Sequence, residues 1–311
     1  MDANRPLLQL NASGTFQWVV SAEDDALRLD VFLARRLVSF SRRERTELIA
    51  ERHVLVNGRP VVKSTRLRQQ DSIVVALPFT PPAPSLSQIE VIASDDSILL
   101  LNKPAGIPSV ALRHIQTQTA AHFLLKHFPE TASAAPRRLE AGLVHRLDTE
   151  TSGLLLAART SSAYLALRRQ FHEHKVGKQY LALVGGEIKS SGHITLPLES
   201  AGPRGRKMQI ASLNQGQAAL THYVPVKQYA LHTLVRVSIV TGVRHQIRAH
   251  LAAFGHPLVG DTMYGAEDQR DTRLCLHAET LVFQHPETGE TLNYTSSLPE
   301  DFCTVLGQLD G

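Results

Sequence analysis

Residues 143–156 read LVHRLDTETSGLLL and place one aspartate, Asp148, between two apolar segments. Because both segments are short apolar runs, we expect strands at Leu143–Leu147 and Gly153–Ala158. A carboxylate at the end of a buried strand is costly unless cations or hydrogen-bond donors keep it charged. Arg146, two residues before Asp148, would project from the same side of a strand. The stretch therefore predicts a sheet with a functional acid at the end of one strand.

The composition is typical of a globular protein. The chain has 311 residues, of which 43% are apolar and 20% are charged, and this length fits about two domains. A chain of this size can bury enough surface to fold without disulfides or metals. Its two cysteines, Cys275 and Cys303, lack metal-ligand spacing, and its 15 histidines form no cluster with them. We therefore expect no metal site.

The apolar runs of the chain favour a cytoplasmic location. No run reaches the length of about 18 residues that a membrane-spanning helix requires, and no charged segment followed by an apolar one resembles a secretion signal. Two cysteines without a disulfide pattern fit the reducing cytosol. We expect a cytoplasmic monomer that does not bind membranes.

Basic residues are concentrated in one part of the chain. Between Arg28 and Arg68 there are eleven basic and four acidic residues, so this window carries +7 and the remainder −3 of the formal net charge of +4. A basic module of this kind favours a polyanionic partner such as RNA. A solvated charged surface is the alternative.

Residues 18–77 are predicted to form a small α+β domain that follows a disordered tail, residues 1–17. A first helix is indicated by apolar residues at helical spacing, namely Leu29, Phe32, Leu33 and Leu37. Ser41 and Glu44 form a capping-box pattern, which predicts a second helix that ends near Arg52.

A hairpin is predicted after these helices. Its strands are Val54–Val56 and residues 61–62, and Asn57 with Gly58 between them is typical of a type I′ turn. Residues 73–77 are predicted to add another strand.

Residues 78–85 are predicted to form a stiff linker to a second domain, residues 86–311. The linker contains four prolines, which restrict φ and remove backbone donors. In the second domain, strands are predicted at Ile98–Leu101, Leu143–Leu147, Gly153–Ala158, Tyr180–Val184, Leu220–Val226 and Thr233–Val240. Helices are predicted near Thr119–His127, Ser162–His174 and His245–Phe254. Because strands outnumber helices without alternating with them, the pattern favours the α+β class.

The stretch around Asp148 resembles the H-R-L-D-x-x-T-S-G signature of the RluA-type RNA pseudouridine synthases. Further motifs of that family follow in order at residues 101–106 (LNKPAG), 178–184 (KQYLALV), 241–248 (TGVRHQIR), 255–261 (GHPLVGD) and 276–278 (LHA). Residues 27–77 resemble the RNA-binding module of the ribosomal protein S-four type, except at His53, where a small residue is common. The resemblance implies a catalytic domain with a mixed, largely antiparallel sheet and flanking helices.

The reaction that this resemblance implies is isomerisation of specific uridines in RNA to pseudouridine. The N1–C1′ bond breaks, the freed uracil rotates, and C5 joins C1′, so nothing enters or leaves overall. This chemistry uses a carboxylate as nucleophile or base, and it uses neither a metal nor a redox cofactor. Asp148 matches the catalytic aspartate of the family, with a turn or helix-capping aspartate as the alternative.

Two residues are expected to handle a flipped base, since a stacked uridine is otherwise unreachable. Arg146 matches the residue that inserts toward the space vacated by the base, with an ion pair to Asp148 as the alternative. Tyr180 matches the tyrosine that stacks on or bonds to the target base, with a core residue as the alternative.

Arg248 is the candidate cation for Asp148, because a nearby arginine lowers the pKa of a carboxylate. It lies beside the packing face of the predicted helix, which consists of Ile247, Leu251 and Phe254. Arg244 would lie one turn earlier on the same side. The related motif reads Thr-Gly-Arg, whereas this chain has Val243 at the third place, and whether Arg244 takes over the role of that arginine stays open.

Further basic residues are candidate RNA contacts. Arg42, Arg43 and Arg45 belong to the basic domain, and Arg204, Arg206 and Lys207 lie in a loop rich in glycine and proline. Such a loop can clamp phosphates, with a solvated loop as the alternative. Arg244 is included among the RNA contacts, and Lys103 is either structural or RNA-contacting.

Two functions of other classes are weighed against an RNA pseudouridine synthase. A non-catalytic RNA-binding or ribosome-assembly factor with this fold is the main alternative, and for a metal-dependent hydrolase the sequence offers no ligand set. Ribosomal large-subunit RNA is the leading substrate, because this pairing of domains is typical of such enzymes, and transfer RNA is the second.

Overall fold

The computed structural model describes residues 15–38, 40, 42–50, 52–76, 85–111, 118–212, 215–265 and 272–310. Residues 15–76 form one compact unit, and the residues from 85 onward form a second. Within these ranges, no helix is both long and apolar enough to cross a membrane. The predicted linker lies outside the described residues except for Ser85.

The first unit is a four-stranded antiparallel sheet with two helices. Its strands are β1 (Thr15–Val19), β2 (Val54–Val56), β3 (Arg59–Pro60) and β4 (Ser72–Ala76), in the order β1-β4-β2-β3. The helices are α1 (Leu29–Arg36) and α2 (Arg42–Ala50), and a 3₁₀ turn covers Ala22–Asp24. The apolar residues that predicted the first helix, Leu29, Phe32, Leu33 and Leu37, are all fully buried in the core of this unit.

The predicted hairpin is present with left-handed backbone at both turn residues. Asn57 has φ 50° and Gly58 has φ 75°, as a type I′ turn requires. The second strand, β3, lies two residues earlier than predicted and ends before residues 61–62. Proline at position 60 has no N–H to donate to a partner strand, so pairing stops there.

The predicted disordered tail, residues 1–17, extends too far. Thr15–Val19 is a strand, in which Phe16 is buried opposite Val75 of β4. Its apolar side chain completes the core of a small sheet, which outweighs the polar character of the preceding segment. Residues 1–14 and Ser41, the predicted helix cap, lie outside the described residues.

The second unit is built on a nine-stranded sheet in the order β5-β6-β7-β14-β8-β13-β12-β9, with β15 also paired to β14. The bounds are β5 (Glu90–Ser94), β6 (Ile98–Lys103), β7 (Ser152–Ala158), β8 (Gly177–Gly185), β9 (Gly192–Ile194), β12 (Thr221–Gln228), β13 (His232–Ile239), β14 (Leu276–Gln284) and β15 (Thr291–Thr295). A separate hairpin consists of β10 (Leu198–Ala201) and β11 (Lys207–Ile210). Among the described strands, β7 and β14 alone pair in parallel, which confirms an α+β fold with a mixed, largely antiparallel sheet.

In the described part of this unit, four helices accompany the sheet. They are α3 (Ala120–His127), α4 (Ser161–His172), α5 (Gln246–Ala253) and α6 (Glu300–Gly307), with 3₁₀ turns at Leu86–Gln88, Pro129–Ser133, Arg138–Glu140 and Pro203–Gly205. The first three confirm predicted helices. Thr119 and Thr160 cap α3 and α4, since each side-chain oxygen accepts a backbone N–H three residues later, at 3.2 Å.

The central strands β6 and β7 are buried on both faces. Leu99, Leu101 and Leu155 belong to one core cluster, and Ile98, Leu100, Leu154 and Leu156 belong to another. Continuous apolar sequence is typical of strands covered on both sides. The run of leucines after Asp148 therefore lies in the middle of the protein.

Residues 143–147 form an irregular segment and not the predicted strand. An isolated bridge joins Leu143 to Ala157, with backbone bonds from Val144 N to Leu156 O (3.2 Å) and from Ala158 N to Gly142 O (2.8 Å), so the segment pairs with β7 over a short stretch only. At Gly142, φ is 72°, and a Cβ would lie 2.1 Å from the Ala158 carbonyl oxygen, so the chain turns away at a position where glycine is required. The segment is apolar because its side chains enter the core, and burial alone does not distinguish a loop from a strand.

Candidate active site

Asp148 lies in the turn that leads into β7, and Ser109 holds this turn in place. The buried Ser109 hydroxyl accepts a hydrogen bond from Leu147 N (3.0 Å) and donates one to Leu147 O (2.8 Å). Thr151 N donates to Asp148 O at 3.1 Å and closes the turn. Of the Asp148 side chain, 27% is accessible. The carboxylate therefore projects from a fixed backbone and can be reached by a substrate.

Lys103, the last residue of β6, supports the same turn from inside the protein. It is fully buried, and its ammonium donates to the carbonyl oxygens of Thr149 (3.1 Å), Ile107 (2.7 Å) and Pro104 (2.9 Å). These carbonyl dipoles replace the lost hydration of the charge. Lys103 is therefore a structural residue, and its burial excludes direct contact with RNA.

The burial of Lys103 predicts a pH-dependent stability. Burial lowers the pKa of Lys103 from 10.5 to about 7, although the charges of Glu150 and Asp148 oppose this shift. Between these two pKa values the unfolded chain binds more protons than the folded one, so the contribution of Lys103 to stability rises with pH by about 1.4 kcal/mol per unit. Below pH 7 both states are protonated and the slope vanishes.

We expect this slope in a comparison of the wild-type protein with Lys103→Met. The difference in their free energies of unfolding, measured in urea from pH 6 to pH 9, should grow above pH 7 in favour of the wild type. Lys126→Met, at an exposed position of α3, is the matched control. A difference that stays constant up to pH 9 would show that the three carbonyl groups keep the ammonium charged.

Arg248 bridges two carboxylates. Its Nη1 lies 3.2 Å from Asp148 Oδ2, while Nε and Nη2 donate to the two oxygens of Asp261 at 2.7 and 2.8 Å. Burial alone would lower the pKa of Arg248, but the bonds and charge of Asp261, and then those of Asp148, raise it above its usual value. The guanidinium is therefore permanently charged beside Asp148, as the sequence predicted.

Asp261 is a site residue that sequence reasoning missed. Its carboxylate is completely buried, and its Oδ1 also accepts bonds from Met263 N (3.0 Å) and Tyr264 N (3.1 Å). A bidentate pair of this kind holds the guanidinium in one orientation. Asp261 belongs to the GHPLVGD motif, but nothing in the pattern indicated that this acid pairs with Arg248.

Helix α5 presents Arg248 from a firmly anchored first turn. The Gln246 side chain accepts bonds from Val243 N (3.1 Å) and Thr241 Oγ1 (2.8 Å) and donates to Leu220 O (2.9 Å). The helix begins at Gln246. Arg244 therefore lies before the helix, and the prediction that it occupies the same helical face one turn earlier is wrong. The predicted packing face also differs, because Phe254 is half exposed.

His245 is a second site residue that the sequence did not reveal. It precedes α5 with a left-handed backbone, φ 53°, and its Nε2 lies 3.8 Å from Asp148 Oδ1. Its Nδ1 lies 3.0 Å from the hydroxyl oxygen of Tyr264. Burial lowers the pKa of His245, although the charge of Asp148 opposes this effect. A neutral imidazole therefore faces the carboxylate oxygen that Arg248 leaves free.

Tyr180 approaches the site from β8. It pairs with Ala278 of β14, which also pairs with Gly153 at the start of β7. At Gly153 a Cβ would lie 2.2 Å from the Ala278 carbonyl oxygen, so glycine permits close approach of these strands. Burial raises the pKa of the Tyr180 hydroxyl, and the charge of Asp148 raises it further. Tyr180 is thus a buried phenol close to the charge of Asp148. Its hydroxyl forms no hydrogen bond with the described residues.

Arg146 is exposed beside the site. In the described part of the chain, the cation paired with Asp148 is Arg248 and the imidazole of His245 lies beside it, so the alternative of an Arg146–Asp148 pair is wrong. Residues 143–147 do not form a strand. The prediction that Arg146 and Asp148 project from the same side of a strand is therefore also wrong. The guanidinium of Arg146 points to solvent, where a nucleic acid could meet it.

The β10–β11 hairpin carries the basic loop predicted to contact RNA. Arg206 and Lys207 are exposed and line an open cavity of about 310 Å³, whereas the side chain of Arg204 lies outside the described residues. Arg244 donates to the carbonyl oxygen of Gly205 and lies 3.5 Å from that of Lys207. Arg244 therefore attaches this loop to the segment before α5.

Val243, the departure from the family motif, is an apolar contact. It packs against a small cluster that contains Leu198, Met208, Ala219 and Ala249. These residues come from the β10–β11 hairpin, the segment before β12, and α5. A valine at this position therefore stabilises the packing of the hairpin against α5, because its side chain is apolar, whereas arginine is mostly exposed in proteins.

The basic residues of the first unit differ in their availability. Arg42 is exposed on α2, whereas Arg45 donates to the carbonyl oxygens of Leu37 (3.1 Å) and Phe40 and so caps the end of α1. The side chain of Arg43 lies outside the described residues.

Over the described ranges, no group of three or more acidic, histidine or cysteine side chains could hold a metal ion.

Comparison with known proteins identifies two family matches. Residues 97–253 match the family model described as RNA pseudouridylate synthase, and residues 27–73 match the S4 domain. The first match spans Asp148, Tyr180 and Arg248. The second match covers α1, α2 and the hairpin of the first unit.

Several related proteins match most of the chain. A protein of Neisseria meningitidis serogroup B named ribosomal large subunit pseudouridine synthase D is 34% identical over 301 residues, which is 91% of this chain and 78% of its own length. One of the same name from Zymomonas mobilis is 31% identical and covers 95% of this chain and 98% of its own. An uncharacterised RNA pseudouridine synthase of Aquifex aeolicus is 34% identical, covering 97% and 99%.

Solved structures give the same result. Human RNA pseudouridylate synthase domain containing 1 superposes with a TM-score of 0.57 at 29% identity, over 70% of this chain and 86% of that one. Human RNA pseudouridylate synthase domain containing 4 superposes with a TM-score of 0.57 at 25% identity, over 71% and 92%.

Proposed function

Because the chain belongs to the RNA pseudouridylate synthase family, we propose that it isomerises uridines of ribosomal large-subunit RNA and that Asp148 acts on the target nucleotide. One observation carries the assignment of Asp148. Its accessible carboxylate is held at Oδ2 by the buried guanidinium of Arg248, which is itself fixed by Asp261. An ionised, oriented and reachable carboxylate is what this chemistry requires.

The reaction exchanges one glycosidic bond for another. The N1–C1′ bond breaks, the uracil rotates, the C5–C1′ bond forms, the proton on C5 leaves, and N1 gains a proton, so substrate and product are isomers. Asp148 serves this sequence as nucleophile or as base. In either role its carboxylate is oriented by the guanidinium of Arg248, 3.2 Å from Oδ2.

The target nucleotide must leave its stack to reach Asp148. We assign Tyr180 to contact with the flipped base, since its phenol lies in the wall of the site and its hydroxyl is available. Arg146 supports the RNA from the exposed side of the turn, where it can enter the space that the base leaves. A planar guanidinium can stack on the neighbouring bases.

Binding of RNA is assigned to two basic surfaces, one in each unit. One surface contains Arg42, which is exposed on the S4-type unit, and the other contains Arg206 and Lys207, which are exposed on the β10–β11 hairpin. Their charges attract phosphates irrespective of sequence. We place the protein in the cytoplasm, because its relatives are bacterial proteins and bacteria make ribosomal RNA in the cytoplasm. We also propose that it acts as a monomer.

An exposed arginine of the first unit should affect RNA binding and not turnover. We expect Arg42→Ala to weaken binding of large-subunit RNA and to reduce the slope of log affinity against log salt concentration by about 1, because one phosphate contact is lost. Filter binding at several salt concentrations measures both. Arg137→Ala, in the second unit with 83% of its side chain exposed, is the control. If the salt dependence of the affinity is the same in Arg42→Ala as in the wild type, Arg42 does not contact a phosphate of the RNA.

The substrate is tested with RNA from cells that lack the gene. Purified protein is incubated separately with large-subunit RNA, small-subunit RNA and transfer RNA, and new pseudouridines are mapped in each. We expect modification at defined positions of large-subunit RNA alone. Modification of transfer RNA would correct the substrate, and modification of none would favour a non-catalytic RNA-binding factor.

A further inference from the structure

Tyr264 connects the β10–β11 hairpin to the site of Asp148. Its hydroxyl oxygen accepts a hydrogen bond from Met208 N at 2.7 Å, and the same oxygen lies 3.0 Å from His245 Nδ1. His245 Nε2 lies 3.8 Å from Asp148 Oδ1. A series of neighbouring polar groups therefore runs from the backbone of the hairpin to the carboxylate, with hydrogen-bond distances at the first two links and 3.8 Å at the last.

The donors in this chain follow from its first member. A backbone N–H can only donate, so Met208 occupies an acceptor site of the Tyr264 oxygen. The Tyr264 proton is then free to point to His245 Nδ1, which accepts it. A neutral imidazole that accepts at Nδ1 carries its proton on Nε2, so an N–H faces Asp148.

We propose that Tyr264 and His245 are positioning residues that orient Asp148 Oδ1 according to the position of the β10–β11 hairpin. Arg248 holds Oδ2, and the imidazole N–H completes the set of donors on the other oxygen. At 3.8 Å the imidazole acts on Oδ1 by electrostatic attraction and not through a hydrogen bond of normal length. This inference rests on the proposed role of Asp148.

The surroundings of Tyr264 and His245 support these protonation states. Burial raises the pKa of Tyr264, so the phenol keeps the proton that it donates. Burial also lowers the pKa of His245, with Asp148 and Asp261 opposing and Arg248 and Arg244 reinforcing the shift. The imidazole stays neutral and therefore has a single N–H to place.

The same contacts make the hairpin a sensor of bound RNA. Lys207 Nζ lies 4.9 Å from the Tyr264 ring centroid, and the guanidinium of Arg244 holds Gly205 of the loop. Phosphates that bind the exposed Lys207 would shift the backbone at Met208. That shift changes the bond to Tyr264 and is transmitted to His245.

The first test is kinetic and uses Tyr264→Phe, which deletes the relevant oxygen and keeps the ring. We expect kcat for pseudouridine formation to fall about 10-fold, the effect of one lost hydrogen bond, with little change in KM for RNA. Tyr294→Phe in β15 is the matched control, because the Tyr294 ring stacks on Phe283 of β14. A wild-type kcat in Tyr264→Phe would overturn the proposal, whereas activity in Asp148→Asn would instead overturn the proposed function.

The second test does not depend on activity. Nitrogen NMR of protein with ¹⁵N-labelled histidine distinguishes the two imidazole tautomers, and His245→Asn identifies the His245 signals, because asparagine tolerates the left-handed backbone there. We expect the Nε2-protonated form in the wild type and loss of this preference in Tyr264→Phe. An Nδ1-protonated His245 in the wild type, or the same tautomer in both proteins, would contradict the relay.

Discussion

Replacing Asp148 with asparagine should lower the rate of pseudouridine formation by about 10³-fold or more. General acid–base catalysis alone contributes roughly 10²–10⁴-fold, and an amide can act neither as a base nor as a strong nucleophile. The substitution keeps the shape of the side chain and the turn that Ser109 holds. Release of tritium from RNA labelled at C5 of uridine measures the rate, because the C5 hydrogen leaves in every turnover.

Affinity for RNA separates this effect from misfolding. Asp148→Asn should bind large-subunit RNA about as well as the wild type, since the basic surfaces are untouched. Asp96→Asn makes the same chemical change at an exposed position and should retain full activity. Residual turnover of Asp148→Asn near the wild-type rate would show that another group performs the chemistry.

Replacing Arg248 with methionine should remove both activity and stability. The substitution leaves the Asp261 carboxylate, which is fully buried, without its cation, and breaking a buried pair in this way costs about 3–5 kcal/mol. Asp148 loses its stabilising charge at the same time. Urea denaturation and the tritium assay together measure the two losses.

Two further variants give this prediction its controls. Arg248→Lys keeps the charge but loses the two-pronged contact with Asp261, so we expect stability and activity between those of the wild type and the methionine variant. Arg169→Met alters an exposed arginine of α4 and should change stability by less than about 0.5 kcal/mol. A wild-type unfolding midpoint in Arg248→Met would refute the structural role of the pair.

Sequence patterns predicted the elements whose signals are local. The helices α3, α4 and α5 and the strands β6, β7, β8, β12 and β13 were predicted from the sequence at close to their observed positions. The strands β1, β5, β9, β14 and β15, the β10–β11 hairpin and the helix α6 were missed, because these segments carry only a weak apolar pattern in the sequence. Leu143–Leu147 was wrongly predicted as a strand, since an apolar loop packed into the core has the same composition.

The site shows the same division between motif and geometry. Asp148, Tyr180 and Arg248 were identified from short motifs, and the contact of Arg248 with Asp148 has the predicted form. Asp261 and His245 lie in two of the same motifs, yet their roles were not deduced. A motif names residue types, and it does not state which oxygen of Asp148 each donor faces.

The sequence by itself determined the fold class, the two-part organisation and the acid at the centre, because periodicity, capping and signature motifs act over short distances along the chain. Tertiary structure alone decided how that acid is held. Arg248 lies 100 positions from Asp148, and Lys103 reaches Thr149 across 46. Such contacts depend on how strands β6, β7 and β14 and helix α5 pack together, and the energy of a buried charge depends on partners that only this packing supplies.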